Sequence, residues 1–209
     1  QSELQNSLND FRGIDWRTFR TNDVIQIKNL VIVPFHVDHS VPASYGFIIY
    51  SSSGPIVYTG DFRRHGPLAH MTEEFLDQIK THQMYKSWLI THPDLSPVCL
   101  DRVKLIISEG TKINKGIVES EEFVANDLES LSIMNPFDFM IIKYERTDWD
   151  RFRTFSNFAK EHKWKFVLSE RDAYFYYILN KDSFHGTMQD PNIINEDHIL
   201  ILKRFNATY

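Results

Sequence analysis

Two imidazoles and a carboxylate fall within four residues of the stretch Pro34-Phe35-His36-Val37-Asp38-His39-Ser40-Val41-Pro42. Such groups suit zinc, which takes histidine nitrogen and carboxylate oxygen. In an extended chain His36 and Asp38 face one way and His39 the other, so the three do not naturally close on one ion. A surface loop with hydrogen-bonded histidines is the plainer alternative. A second cluster, Tyr58-Thr59-Gly60-Asp61-Phe62-Arg63 followed by Arg64-His65-Gly66, presents a carboxylate just past an apolar run. Gly60 permits a sharp turn that aims Asp61 across a strand end, although an ordinary turn aspartate reads the same way. Arg63, Arg64 and His65 beside it stand where a phosphate could be met. A third group, Ser108-Glu109-Gly110-Thr111, repeats the pattern after Leu105 to Ile107. Polar groups at three strand ends are how rigid elements assemble one site from loops. His92, Asp94 and Cys99 are also metal-type residues, but the prolines among them and the apolar Val98-Cys99-Leu100 favour loop and core.

The elements that must hold these groups come in two styles. Val24 to Ile27 and Leu30 to Val33 flank Lys28-Asn29 as a hairpin, and Phe47 to Tyr50 and Ile56 to Thr59 flank a Ser51–Pro55 link as another. Thr72 before Glu73 and Glu74 reads as a helix N-cap, with Phe75, Leu76 and Ile79 as the apolar face. Residues 81 to 102, broken by His92-Pro93 and Ser96-Pro97, read as loop. The polar first segment reads as helical to about Phe11. From Lys104 the pattern alternates. Strands are expected at Lys104–Ser108, Phe139–Tyr144, Lys165–Leu168 and Ile199–Lys203. Helices are expected at Ser120–Leu131 (Phe123, Val124, Leu128 and Leu131 inward), from Asp148 (Phe152, Phe155, Phe158 and Ala159 inward) and at Arg171–Leu179. Alternation at this spacing implies an α/β fold with a largely parallel sheet in the second half.

Composition limits the function classes. The 209 residues, 42% apolar and 24% charged, can bury a core and do not match a disordered chain. No apolar run approaches the roughly 18 residues of a membrane span, and Gln1 to Asp10 lacks the basic flank and apolar stretch of a signal peptide. With Cys99 the only cysteine, no disulfide can form within the chain, and a reducing cytoplasm is the expected home. A net charge of −5 disfavours a generic charge-driven nucleic-acid binder. Between Lys143 and Arg171, eight lysines and arginines oppose five acids, with Trp149 and Trp164 among them. That pattern fits either a stacking surface for single strands or a solvated face over an apolar core.

The series Val37-Asp38-His39-Ser40-Val41-Pro42, Gly46-Phe47-Ile48-Ile49 and Tyr58-Thr59-Gly60-Asp61-Phe62-Arg63 resembles consecutive motifs of metallo-β-lactamase-fold nucleases. The branch it is most similar to is β-CASP, which includes ribonuclease J and the mRNA 3′-end endonucleases. Ser108-Glu109-Gly110-Thr111 and the Asp148-Trp149-Asp150-Arg151 helix resemble the β-CASP domain. The resemblance implies a zinc-dependent phosphodiester hydrolase acting on RNA or another single-stranded nucleic acid. In it His39 is a terminal zinc ligand, Asp61 bridges two zinc ions, and Glu109 is an acid that holds a histidine ligand. Arg63, Arg64 and His65 are candidate phosphate contacts. The implied architecture is part of an αββα-type sandwich over residues 1–104, then a largely parallel βα portion of a β-CASP domain over 105–209.

The pattern also departs from the family. His36-Val37-Asp38-His39 mimics the end of the signature His-x-His-x-Asp-His, but Pro34 stands where its first histidine belongs, so His36 carries no ligand role and reads as an orienting or structural residue. The signature itself is absent. His162, His185 and His198 lack the small-residue surroundings of the later histidine motifs. Zinc wants at least about three protein ligands, and the chain supplies His39 and Asp61. The expectation is therefore an internal portion of a nuclease, nearly inactive alone, whose remaining ligands come from elsewhere in a longer protein or from another chain. The alternative is a metal-free binding or assembly module derived from that fold.

Overall fold

The computed structural model describes residues 17–94, 98–110, 119–134, 138–181 and 196–203. β1 (Ile25–Ile27), β2 (Leu30–His36), β3 (Tyr45–Ser51) and β4 (Gly54–Tyr58) form two antiparallel hairpins joined in one sheet. Both turns are tight. Lys28 adopts a φ of 55° between Ile27 and Leu30, the left-handed conformation that two-residue hairpin turns require. The second turn is shorter than the expected Ser51–Pro55 link: Ser51 pairs with Gly54, because Gly54 takes a φ of 117° and lets Pro55 continue as strand. β5 (Leu105–Ile107) adds to β4 in parallel, giving the order β1-β2-β3-β4-β5. This strand, read as opening the second portion of the chain, belongs to the first sheet.

Period-2 alternation decides what each face of that sheet does. Val31, Val33, Phe35, Ile48, Tyr50 and Val57 are buried in a core completed by Phe75 and Tyr85. Those two come from helices α1 (Ala69–Thr81) and α2 (Gln83–Ile90). Tyr50 and Tyr85 stack with centroids 3.9 Å apart. Gly46 is required here, since a Cβ would sit 2.7 Å from the Phe75 ring. The opposite face carries the directly paired row Ile25, Ile32, Ile49, Ile56 and Leu105, and beside it Phe47, Tyr58 and Ile107. Leu105, Ile107 and Tyr58 on this face are exposed.

Two local expectations are corrected. α1 begins at Ala69, so Thr72 is not its cap. Thr72 is buried inside the helix and its hydroxyl accepts the Asp38 backbone N–H at 2.9 Å. Residues 83–90, read as loop, form α2. The prolines that suggested loop lie beyond its end, and Tyr85, Trp88 and Leu89 pack on the core at helical spacing.

In the second half, α3 (Glu121–Met134) packs beside α4 (Trp149–Glu161). Asp148 caps α4 by accepting the Arg151 N–H at 3.0 Å. Phe152, Phe155, Phe158 and Ala159 are buried as their spacing requires. On α3 only Leu128 is buried; Phe123 and Leu131, expected inward, are exposed. Phe139 to Tyr144, expected as a strand, shows strand alternation without a ladder. Met140, Ile142 and Tyr144 pack on the Leu128–Phe155–Phe158 cluster while Phe139 and Ile141 face outward. β6 (Phe166–Ser169) and β7 (Ile199–Leu202) pair in parallel, with α5 (Glu170–Lys181) following β6. Parallel pairing in this half is thus confined, among the described residues, to two strands. The helix expected near Phe11 lies outside the described residues.

His82 closes α1 at a φ of 52°, is buried, and meets the Tyr50 hydroxyl through Nδ1 at 3.1 Å. Burial first, and Lys86 second, hold its pKa below the usual 6.5. The folded state therefore binds fewer protons than the unfolded chain. Its contribution is full above the unfolded value and is lost as pH falls through the folded one. Denaturant midpoints should drop between about pH 7 and pH 5. In His82→Asn, which tolerates the left-handed backbone, the drop should be shallower; equal slopes in the two proteins would contradict this account.

Candidate functional site

β2 and β4 both run antiparallel to β3, and β5 runs parallel to β4. The C-terminal ends of β2, β4 and β5 therefore lie along one edge of the sheet. The segments leaving those ends hold His36 to Pro42, Thr59 to Gly66 and Ser108 to Gly110, so the three polar clusters meet at one end of the fold. Thr111 lies outside the described residues.

Thr59 stitches β4 to β5. Its N–H donates to Ile107 O at 3.0 Å, and its hydroxyl lies 3.2 Å from Ser108 Oγ and 2.8 Å from Gly60 O. Gly60 has a φ of 59°, and a Cβ there would sit 2.4 Å from the Tyr45 carbonyl oxygen. Only glycine makes that turn, which leaves Asp61 exposed at the strand end. Glu109 is exposed one residue past Ser108.

The strongest interactions centre on Asp38, which is fully buried. Its carboxylate accepts Arg63 Nη2 at 3.1 Å and the Gly66 N–H at 2.8 Å, and its carbonyl accepts the Arg63 N–H at 2.8 Å. The same Arg63 Nη2 also binds Asp150 in the first turn of α4. Gly66 is required because a Cβ would collide with the Arg63 guanidinium. Burial pushes the Asp150 carboxyl up, and Arg63 opposes that shift. Burial likewise works against the Arg63 charge, but the two carboxylates outweigh it and hold the guanidinium protonated. Two residues past Asp38, Ser40 O accepts the Trp149 N–H at 2.9 Å.

His39 stands between these anchors, partly buried, with Nδ1 accepting the Val41 N–H at 3.0 Å. A neutral ring in this arrangement carries its proton on Nε2. His36 is buried, its ring stacked on Tyr45 at 5.0 Å, so it packs against the sheet. Arg63, expected to stand near a phosphate, is engaged by two carboxylates. Arg64 pairs with Glu73 at 2.7 Å on the surface, and His65 is exposed. Next to His65 a cavity of about 270 Å³ is lined by Arg63, Glu119, Glu121 and Glu122, with Glu121 held by Arg151.

The other candidates have structural partners. His92 stacks on Trp88 at 4.2 Å, and the Cys99 thiol donates to Asp101 at 3.3 Å. His162 meets Glu129 and His198 meets Ser156, each at 2.9 Å; His185 lies outside the described residues. In the basic stretch, Arg146 pairs with Asp172, Arg151 with Glu121 and Lys160 with Glu196. Trp149 is buried against Phe152 and Tyr176, and Trp164 packs on Phe158. These tryptophans serve the core. The Asp38–Arg63–Asp150 contact had no sequence signal beyond an arginine two residues past Asp61.

Among the described residues no group of three His, Cys, Asp or Glu side chains is arranged to hold a metal ion. His39 and Asp61 are two donors of the types zinc takes, fewer than the roughly three protein ligands such a site wants. No helix among them is long and apolar enough to cross a membrane.

No family model matches the chain. A stretch of 52 residues is 36% identical to Ribonuclease J 2 of Staphylococcus aureus strain NCTC 8325, covering 25% of this chain and 9% of that protein. A stretch of 61 residues is 33% identical to Ribonuclease J 2 of Staphylococcus epidermidis, covering 29% of this chain and 11% of that protein. The matched stretches thus span about a tenth of these curated relatives. The crystal structure of a protein of unknown function from Enterococcus faecalis V583 is similar over 90% of this chain and 41% of its own, with a TM-score of 0.56 and 17% identity. That likeness concerns the fold alone.

A buried ion pair that loses one partner costs about 3–5 kcal/mol, because the remaining charge is left uncompensated. Arg63→Met should lower unfolding free energy by about that much. Arg64→Met, at a solvent-exposed pair, should cost about 0–1 kcal/mol. Urea titration of both variants measures the contrast, and equal losses would contradict the assignment of Arg63 as the buried tie.

Proposed function

We propose that this chain is part of an RNA-cleaving phosphodiester hydrolase related to ribonuclease J, and that His39 and Asp61 contribute to its reaction centre. The observation that carries the reading is the local similarity to Ribonuclease J 2, shared by two staphylococcal proteins. The convergence of the β2, β4 and β5 ends supports it, since a hydrolytic site needs its polar groups on loops at one end of a rigid sheet. The apolar row Ile25, Ile32, Ile49, Ile56 and Leu105 supports the sandwich architecture, because a face of that composition asks for a second layer.

Zinc would take its further ligands from outside the described residues, and His39 would release the Val41 N–H to bind it. When bound, such ions activate water and offset phosphate charge. What the chain's own residues contribute is an imidazole after β2 and a carboxylate after β4, at the same end of the sheet on either side of β3. Glu109 at the end of β5 is proposed as the acid that orients a further histidine, and Arg64 and His65 are proposed as outer contacts of the nucleic acid. Arg63 is proposed as a tie within the protein.

In the longer protein that contains this chain, His39→Ala and Asp61→Ala should each lower kcat/KM on single-stranded RNA by about a hundredfold or more, the scale of removing one group that acts on the transition state. Zinc content, read by elemental analysis, should fall in both. Retention of zinc and of RNA cleavage by the double variant would overturn the proposal. The 209-residue chain alone should cleave RNA negligibly, and robust chelator-sensitive cleavage by it would contradict the shared-site reading.

A further inference from the structure

We infer that the Asp38–Arg63–Asp150 ion triad is a positioning device through which the docking of α4 sets the geometry of His39 and of the Asp61 turn. The inference rests on the reading of those two residues given above.

His39 is bracketed on both sides by anchors. Before it, Asp38 has every polar group engaged: its N–H by Thr72, its carbonyl by the Arg63 N–H, and its carboxylate by Arg63 and Gly66. After it, the Ser40 carbonyl accepts the N–H of Trp149, one of the donors that a helix start leaves unpaired. Both anchors lead to the first turn of α4, one through Asp150 and Arg63, the other directly through Trp149. What remains adjustable is the His39 ring, held through Nδ1 by the Val41 N–H.

The Asp61 turn is bracketed in the same way. Gly60 on one side allows no other residue, and the Arg63 N–H on the other is bonded to Asp38. The loops carrying the imidazole and the carboxylate are thus bonded to each other across β3 and to α4 by one guanidinium. Arg63 and Asp150 are positioning residues: they act through the loops that carry His39 and Asp61. A tie with only a stabilising role would lower protection throughout the first sheet and leave the state of the His39 ring unchanged.

The test uses the full 209-residue chain with ¹⁵N-labelled histidine and backbone amides. In the unaltered protein the His39 ring should show an unprotonated Nδ1 and a protonated Nε2. Asp150→Asn keeps the volume of the side chain but removes the charge that Arg63 bridges. It should give His39 mixed tautomer signals and speed exchange of the Val41 amide about tenfold or more, the scale of losing one charge-assisted hydrogen bond. The Val33 and Ile48 amides in the sheet should keep their protection. Should Asp150→Asn lower that protection as well, Asp150→Glu, which retains the charge at a shifted position, is read for the same selective change. Lys160→Gln, at the far end of α4, is the control and should leave His39 and Val41 as they were. An unaltered His39 pattern and Val41 exchange rate in the folded Asp150 variant would overturn the inference. That failure is distinct from failure of the proposed function, which is read from zinc and RNA cleavage in His39→Ala and Asp61→Ala.

Discussion

One guanidinium ties the loops of the first sheet to α4, beside the Ser40–Trp149 backbone bond. Arg63 lies within the first sheet's loops and is bonded to Asp38 on one side and to Asp150 of α4 on the other. Asp38 has no exposure to water, so its charge is tolerable only because Arg63 and the Gly66 N–H compensate it. Around that ion cluster the backbone has little freedom. Gly66 must lack a side chain to admit the guanidinium, and Thr72 must sit inside α1 to meet Asp38. The polar end of the sheet is therefore built around charge compensation, while the rest of the first half is built on apolar packing.

Among the described residues, the helices of the first half pack on one face of its sheet. α1 and α2 cover the face carrying Val33, Ile48 and Val57, and the aromatic stack of Tyr50 on Tyr85 fills the space between. The opposite face is a continuous row of isoleucines ending in the exposed Leu105. The second half shows the same economy: α4 buries Phe152, Phe155 and Phe158, while Phe139 and Ile141 face outward from an unpaired extended segment.

Much of the fold was legible because it follows from local rules. The two hairpins, the Asp148 cap and the buried phenylalanine face of α4 are written in periods of two and of 3.6 residues. The errors came where tertiary contacts overrode local signals. Thr72 resembles a cap yet works as a buried partner of Asp38, and α2 lies in a region that prolines beyond its end made look like loop. Phe139 to Tyr144 alternates as a strand does, but pairing needs a neighbouring edge, and the helices supply side-chain contacts instead. The basic stretch with two tryptophans left two readings open, and the fold favours a solvated face over a core: Arg146 and Arg151 find carboxylates and Trp149 is buried.

What the sequence determined by itself is the two hairpins, β5 and the chemistry at their ends: an imidazole after β2, a carboxylate after β4 and an acid after β5, each following an apolar run. What only the tertiary structure decided is which of those groups remain available. Asp38 and Arg63 look as exposed and reactive in the sequence as His39 and Asp61 do, but folding commits them to each other and to Asp150. The reason is that burial is a property of the whole fold: a charge taken out of water must find its counterpart, and here that counterpart is 25 residues away for Asp38 and 87 for Arg63.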